Sequence, residues 1–345
     1  MMLSVWVPLL LPFLAAPLAR RLAEALPPRA AAWMLAGSAA VLAGGTLCSL
    51  GLLAAAGLLQ LPPVATLGHL SLPWLTAAAP DAPFAAALAA LALLALAALG
   101  VRTARRRVRE LRTARAALPV TADRHPDVRP PRASVRWMRP QARLAALLRP
   151  ADHPLTVLDD ECADAFALPG RLGEPGRIVV TSGMLRALDG PERAALLAHE
   201  RAHLTARHHV FLALAEHAAD IHPALRPLRA PLGYHLERWA DEVAAARVGD
   251  RAVTARAVGR AALAASRSPW PARPRLVAAA HSGPVPRRVA ALLRPRPATS
   301  PGTWLRAAAV ALAACLALST GAALEATADL HHAVEAAQQS PDTQR

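Results

Sequence analysis

The stretch Leu196-Leu197-Ala198-His199-Glu200-Arg201-Ala202-His203 places two histidines and a glutamate inside a largely apolar run. On a helix, residues i and i+4 lie on one face, so His199 and His203 can point two imidazole nitrogens at one ion. Glu200 follows the first histidine and can hold a water beside that ion. One helical turn therefore supplies two metal ligands and a general base, which is the HExxH pattern of a zinc site.

The helix that would carry this motif has a clear beginning. Asp189-Gly190-Pro191-Glu192 offers an aspartate N-cap, a proline in the first turn and a glutamate three residues after the cap. This order is the capping-box pattern that starts many helices. Apolar residues then recur through His203, so we predict a helix across the whole motif.

A catalytic zinc ion usually has three protein ligands and one water, so the two histidines need a partner. Glu237 is the best candidate because it begins a predicted helix that runs to about Val248, and Asp241 follows one turn later on the same face. Asp241 could then accept the remaining N–H of a ligand histidine and fix its orientation. The alternative for this pair is an ordinary solvated acidic face.

The downstream sequence offers further histidine and acidic side chains as a third ligand: His208, His209, His217, Asp220, His222, His235 and Glu242. His208 lies off the ligand face or nearly so, and we interpret His208 and His209 as a polar helix end. His217, Asp220 and His222 follow an apolar helix at 210–219 and match no known ligand spacing, although each stays open as a ligand.

The composition indicates that part of the chain lies in a membrane. Hydrophobic residues make up 54% of the 345 residues, and the mean hydropathy is +0.28, which is high for a soluble protein. Four apolar runs are candidate spans: about 1–18, 31–58, 83–101 and 307–324. We therefore expect a mainly α membrane protein with four transmembrane helices.

The charges around the four runs give one consistent orientation in the cell membrane. Arginines follow the first run, crowd the segment 102–120 after the third, and precede the fourth, whereas the second connector has none. Because positive loops lie on the cytoplasmic side, we expect both termini outside, a cytoplasmic domain at 121–296 and a short extracellular tail at 325–345. The segment 102–120 would combine a solvated helix face with contact to anionic lipid heads.

The net charge of +15 does not by itself indicate nucleic acid. All 39 basic residues are arginine, against 24 acidic residues, and alanine is abundant, so the charge reflects a compositional bias as much as a binding surface. We expect no nucleic-acid partner. The three cysteines are far apart in sequence, and no disulfide framework or cysteine zinc site is predicted.

The segment before the motif predicts a small sheet. Residues 126–150 are rich in arginine and proline and indicate a linker that gives way to a helix at about 141–148. The β-branched runs 155–158 and 177–181 predict strands. Residues 164–170 are a candidate edge strand, which could pair with an extended peptide or be purely structural.

Taken together, these segments resemble the M56 and M48 membrane metallopeptidases. The similar parts are the strand and turn Arg177-Ile178-Val179-Val180-Thr181-Ser182-Gly183-Met184-Leu185, the helix from Leu188 through HExxH, and Glu237-Arg238-Trp239-Ala240-Asp241. Asp164-Ala165-Phe166-Ala167 is similar to the family's edge strand, and His281 with Arg287-Arg288-Val289 to its late histidine and arginine element. A zinc domain between the third and fourth spans resembles the M56 branch, the signalling proteases that include the beta-lactam sensors.

The resemblance implies a cytoplasmic α+β zincin-like (gluzincin) domain that binds one Zn2+. His199, His203 and Glu237 would be the zinc ligands, Glu200 the catalytic base, and Asp241 a residue that supports a ligand. Four side chains are candidates to stabilise the oxyanion of the reaction: Tyr234, His235, Arg238 and His281. The antibiotic-sensing relatives carry a large penicillin-binding domain after the fourth span, so we do not expect beta-lactam sensing by this chain alone.

Three functions are compatible with the sequence. The first is a regulated endopeptidase that cleaves a cytosolic protein, by analogy a transcriptional repressor, and that could also cleave itself. The second is a constitutive quality-control protease of the M48 type. The third is a catalytically idle membrane protein whose zinc site is purely structural. In the first two cases the expected partners are a protein substrate and the lipid bilayer.

Overall fold

The computed structural model describes residues 2–116, 118, 153–171, 174–267, 284–294 and 303–340. The predicted linker at 126–150, the predicted helix at 141–148 and His281 lie outside these residues. The chain divides into two compact units. The first comprises Met1–Arg106, Phe211–His235 and Pro297–Arg345, and the second comprises Arg107–Val210 and Leu236–Arg296.

Helices dominate the described residues. The first half of the chain contains the helices α1 (Met2–Ala25), α2 (Pro28–Leu58), α3 (Pro62–Leu67), α4 (Leu72–Ala78) and α5 (Ala82–Ala116). Three strands and a short helix follow: β1 (Leu155–Leu158), β2 (Ala165–Leu168), β3 (Arg177–Thr181) and α6 (Ser182–Ala187). The remaining elements are α7 (Gly190–Thr205), α8 (His208–Ile221), a 3-10 helix (Pro223–Leu228), α9 (Arg229–Val248), α10 (Arg251–Arg267), α11 (Val285–Leu293) and α12 (Thr303–Gln339).

Within the described residues, four helices are long and apolar enough to cross a membrane: Ser4–Ala25, Pro28–Leu58, Ala82–Ala116 and Thr303–Gln339. They coincide with the four apolar runs of the sequence, and each extends beyond its run at one end or both. Helix α5 continues through most of the arginine-rich segment, and α12 continues to Gln339 through the segment that the sequence assigns to a tail. Alanine, arginine and glutamate are good helix formers, so these helices do not end where the hydrophobicity ends.

In the first unit, the helices α1, α2 and α12 pack closely together at Gly45 of α2. A Cβ atom at Gly45 of α2 would lie 2.6 Å from Ser319 Oγ and 3.1 Å from Pro8 Cβ. The glycine therefore permits a close approach of three helices, as small residues do in membrane helix bundles. The connector between the second and third spans forms α3 and α4, which pack on the end of α12 through Ala65, Leu75 and Ala337.

Residues 211–235 also belong to the first unit, although they fall inside the predicted domain at 121–296. Phe211 of α8 meets Trp33 of α2 edge-on, with 4.8 Å between ring centroids. His222 Nε2 lies 3.1 Å from the carbonyl oxygen of Leu9. The segment 211–222 thus contacts α2 through Phe211 and α1 through His222.

The second unit is built on a three-stranded sheet of order β1-β3-β2. Strand β1 runs parallel to β3 and β2 runs antiparallel to it, with Phe166 opposite Val179. The predicted strands at 155–158 and 177–181 are confirmed, and β2 forms within 164–170 at an edge of the sheet. Its outer side has no strand partner among the described residues.

Both faces of the sheet are covered. The end of α5 packs on one face, where Ala114 contacts the side chains of Phe166 and Val179, and Arg115 donates a hydrogen bond of 2.6 Å to the Pro169 carbonyl. Met184 of α6 joins Ala165 and Val180 in a second buried cluster, against which residues of α7 and α10 pack. Part of the basic segment is therefore a structural support of this unit.

Candidate metal centre

Helix α7, which carries the HExxH motif, begins with the predicted capping box. The backbone N–H of Glu192 donates to Asp189 Oδ1 over 2.9 Å, and the backbone N–H of Asp189 donates to Glu192 Oε2 over 3.1 Å. Glu192 is buried, and Arg260 of α10 forms an ion pair with it at 2.8 Å. The capping box satisfies the backbone N–H groups of Asp189 and Glu192 and fixes where the helix starts.

The two histidines of the motif and Glu237 converge on one point. His199 Nε2 lies 3.1 Å from His203 Nε2 and 3.4 Å from Glu237 Oε2, and His203 Nε2 lies 3.3 Å from Glu237 Oε1. Ligand atoms bound to a tetrahedral zinc ion lie about 3.3 Å from one another, since each bond is about 2.0–2.2 Å long. The donor set and its spacing therefore fit a single zinc ion.

No other group of three histidine, cysteine or acidic side chains with ligand spacing occurs among the described residues. All three members of this group are buried. Two helices supply them, because α7 carries the histidines and α9 carries Glu237. These three residues could hold a metal ion.

Asp241 supports His199 from one turn farther along α9. His199 Nδ1 lies 3.1 Å from Asp241 Oδ1, so a metal ion bound at Nε2 would leave the Nδ1 hydrogen facing this carboxylate. Burial alone would lower the pKa of His199, but its hydrogen bonds with Asp241 and Glu237 raise that pKa to about 10. The carboxylates thus favour a positive charge at the place where the donor atoms meet.

Arg288 of α11 binds two carboxylates of α9, those of Asp241 and Glu237. Its Nε and one terminal nitrogen donate to Asp241 over 2.9 Å and 2.6 Å, and its other terminal nitrogen lies 2.8 Å from Glu237 Oε2. Burial would raise the pKa of Asp241, but the hydrogen bonds from Arg288 and His199 hold it below its usual range. One guanidinium therefore neutralises part of a buried cluster that also includes Glu200, and a divalent cation would offset the excess negative charge.

His208, the first residue of α8, contacts the second histidine of the motif. Its Nδ1 lies 2.9 Å from His203 Nδ1, and burial lowers the pKa of His208 to about 4, so its ring is neutral at pH 7. For His203 to offer its Nε2 lone pair, its hydrogen must lie on Nδ1, from which it is donated to His208. His208 thus lies at a helix end and outside the ligand group, as the sequence indicates, but its side chain is buried against His203.

The other candidate ligands have different neighbours. Thr103 donates to Asp220 over 2.8 Å, His217 Nδ1 lies 2.8 Å from the Ala213 carbonyl oxygen, and His222 contacts Leu9, all within the first unit. His209 is half-buried beside His208, and Glu242 pairs with Arg238 and Arg251. The structure therefore does not bring these side chains together with the HExxH histidines as a ligand group.

Three of the four oxyanion candidates are described. Tyr234 and His235 lie on α9 just before Glu237, belong to the first unit, and have ring centroids 5.3 Å apart. Arg238 donates to Glu242 over 3.0 Å. His281, the fourth, lies outside the described residues.

A cavity of about 320 Å3 opens beside the donor group in the second unit. His199 and Glu200 line it together with residues of β2, α6, α10 and α11. Glu200 is fully buried and lines this cavity together with His199. The arrangement combines a metal-binding group, a carboxylate and space for a ligand in one site.

Residues 135–225 match the model of peptidase family M48. The matched segment contains the sheet and the HExxH helix and ends before Glu237. The match supports the M48 peptidase family and, with the four apolar helices, a membrane-associated metallopeptidase. Neither the curated proteins nor the solved structures include a match to this chain.

Sequence reasoning missed the roles of two residues at this candidate metal centre. Arg288 lies in the element Arg287-Arg288-Val289 that supports the family resemblance, and this was the available signal for it. The sequence carries no such signal for His208. It lies five residues after His203, and on a continuous helix that spacing would turn it away from the ligand face. Both residues contact side chains that could hold the ion.

Proposed function

We propose that this chain is a membrane-embedded zinc endopeptidase that hydrolyses an internal peptide bond of a cytosolic protein. One Zn2+ per chain would be held by His199, His203 and Glu237. The observation that carries the proposal is the spacing of their donor atoms, 3.1–3.4 Å, with Glu200 buried next to them at the wall of a cavity. This is the donor set and the open side that catalytic zinc sites combine.

In this mechanism Glu200 is the general base and then the general acid. Zinc, when bound, supplies a Lewis acid for the scissile carbonyl and lowers the pKa of water. Glu200 takes the proton of the attacking water and passes it to the leaving amine as the peptide bond breaks. Asp241 and His208 hold the two histidine rings, and Arg288 holds Glu237 and Asp241. The outer side of β2 offers backbone groups to an extended substrate.

We place the peptidase unit in the cytoplasm, with both termini outside. The arginines after the third run and before the fourth support this orientation. The packing of α3 and α4 on the end of α12 also supports this orientation. Helices α3 and α4 form the second connector, and in the proposed orientation this connector and the C-terminal part of α12 lie on the same side of the membrane. In the regulatory form of the proposal, which follows the M56 resemblance, the substrate is a transcriptional repressor.

The alternative is a constitutive protease that removes misfolded or membrane proteins, and the M48 match favours it. Proteomic comparison of cells with and without the active protease separates the two. A single stabilised regulator supports signalling, whereas stabilisation of many damaged proteins supports quality control.

The direct test of the activity is Glu200→Gln in the full chain reconstituted in lipid nanodiscs. We expect zinc content to stay at one ion per chain while peptide hydrolysis falls by about 100-fold or more, the usual contribution of a general base. Glu161→Gln, the same change at an exposed position of the second unit, should leave both unchanged. Hydrolysis that survives in Glu200→Gln would remove Glu200 as the base, and zinc without hydrolysis in the wild type would indicate a structural site.

A further inference from the structure

Helix α8 carries a stripe of partly exposed apolar side chains. Val210, Leu214 and Ile221 are four and seven residues apart, so they lie on one face of the helix. Val210 is 50% exposed and Leu214 is 37% exposed, and Ile221 is half-buried. Exposed apolar side chains that share one face indicate a surface that meets an apolar partner.

A second face of α8 is buried. Phe211, Ala215 and Ala218 lie on this face, four and three residues apart. The ring of Phe211 meets the ring of Trp33 edge-on. Trp33 lies in the second turn of α2, which begins at Pro28, so α8 meets this candidate span near one of its ends.

A third face of α8 is polar. Glu216 and Asp220 lie one turn apart, about 120° around the helix from the apolar stripe. Thr103 donates to Asp220 over 2.8 Å, and Arg229 lies 3.6 Å from Glu216. Thr103 follows Arg102, the first arginine after the third apolar run. The polar face of α8 therefore meets α5 where the apolar part of that helix gives way to its charged part.

The apolar stripe adjoins a surface that lipid covers. Trp33 and Phe13 are 58% and 61% exposed, and both lie on helices that are long and apolar enough to cross a membrane. Phe13 meets His222, the residue directly after α8, with 5.1 Å between ring centroids. His222 also reaches Leu9, inside the first apolar run. Aromatic side chains on spanning helices face the lipid or its interface, so lipid that covers these two rings extends to α8.

We infer that α8 is an interfacial helix whose apolar stripe inserts into the acyl chains of the bilayer. Its 14 residues span about 21 Å, which is too short to cross a hydrocarbon core of about 30 Å. Separate apolar and polar faces are the pattern of helices that lie in the membrane interface. The inference requires a membrane protein but not a peptidase. Since α8 begins with His208, the bilayer also holds the helix whose first residue contacts His203.

Spin labels on single cysteines test where the stripe lies, in the full-length protein at one copy per lipid nanodisc. Alanine first replaces the native cysteines, which are Cys48, Cys162 and Cys315. The measurement is the ratio of collision rates with oxygen, which is soluble in acyl chains, and with a water-soluble nickel chelate. This ratio should be several-fold higher for labels at Leu214→Cys and Val210→Cys than for a label at Glu216→Cys on the polar face.

Two reference labels define the limits of this ratio. Leu94→Cys, an exposed position in the third apolar run, reports acyl chains, and Glu161→Cys, an exposed position of the second unit, reports water. The stripe labels should match the label at Leu94. A stripe label that matches the one at Glu161 faces water, and this result would overturn the inference. A stripe label shielded from both reagents is covered by protein, which also excludes insertion into lipid.

Photocrosslinking in the native cysteine background tests the same surface if the alanine replacements unfold the protein. A benzoylphenylalanine in place of Leu214 should attach to a phospholipid under near-ultraviolet light, whereas one in place of Glu161 should not. Mass spectrometry detects the added lipid, and the lack of a lipid adduct at position 214 contradicts the inference. Zinc content and melting temperature report folding. Neither experiment measures hydrolysis, so an inactive wild type removes the peptidase and leaves the lipid contact to be decided separately.

Discussion

The Nδ1 atoms of His203 and His208 lie 2.9 Å apart, and both rings are buried. This contact gives the second histidine of the motif a partner on its far side, as Asp241 does for the first. The two supports differ in charge, because Asp241 is an anion and the His208 ring is neutral. The hydrogen that His203 donates therefore fixes its tautomer without adding negative charge to the site.

We expect His208→Ala to weaken zinc binding by about 10–100-fold, the usual cost of removing a hydrogen-bond partner of a ligand histidine. His208→Asn should lose less, since its amide oxygen can accept the same hydrogen. Competition with a chromophoric chelator measures both affinities. His217→Ala, a half-buried histidine of the first unit, is the control and should bind zinc as the wild type does. Identical affinities for His208→Ala and the wild type would contradict the role of this contact.

Glu237→Ala should reduce bound zinc well below one ion per chain, because it removes one of three ligands and leaves the histidines alone. Glu242→Ala changes another acidic residue of α9 and should keep the wild-type zinc content. Elemental analysis of the purified proteins after dialysis against a weak chelator measures the difference. Zinc content at the wild-type level in Glu237→Ala would exclude this carboxylate from the ligand set.

Arg288→Ala should destabilise the second unit by about 3–5 kcal/mol, since it leaves two buried carboxylates without their guanidinium partner. Arg287→Ala removes the same side chain from an exposed position on the same helix and should have a much smaller effect. Thermal unfolding of the metal-free proteins in detergent compares the two variants. Equal melting temperatures would show that Arg288 contributes no more than a surface arginine.

Gly183→Ala should also destabilise this unit, by about 1–3 kcal/mol, the usual cost of an overpacked site. A Cβ atom at Gly183 would lie 2.1 Å from the Glu161 carbonyl oxygen, and the backbone N–H of Gly183 donates to Asp160 over 2.8 Å. Gly259→Ala is the matched control because nothing lies within 4 Å of its added Cβ. The same thermal assay should show a lower melting temperature for Gly183→Ala alone.

Local patterns predicted much of the fold and the centre of the site. The capping box, the HExxH turn and the Glu237–Asp241 pair depend on residues within one or two helical turns, where spacing determines which side chains share a face. The strands at 155–158 and 177–181 follow from short β-branched runs. The ends of α5 and α12 were less predictable. The sequence shows where each apolar run ends, but the residues that follow still favour a helix, so both helices continue beyond their apolar runs.

Contacts that depend on chain reversal or distant elements were not predictable in the same way. Arg207 has a positive φ of 53° and separates α7 from α8, so His208 does not follow the direction of α7. This turn brings its ring back to His203, which helical spacing alone would not do. Arg288 reaches Asp241 from another helix far along the chain, and no local pattern shows which arginine of the sequence would do so.

The position of Arg288 in the chain also sets the order in which the site can be completed during synthesis. The histidines and carboxylates leave the ribosome first, and their guanidinium partner follows only when α11 has been made. Until then Glu237 and Asp241 carry charges that oppose their burial. A nascent chain that ends before α11 therefore contains the HExxH helix, Glu237 and Asp241 but lacks the guanidinium that binds the two carboxylates.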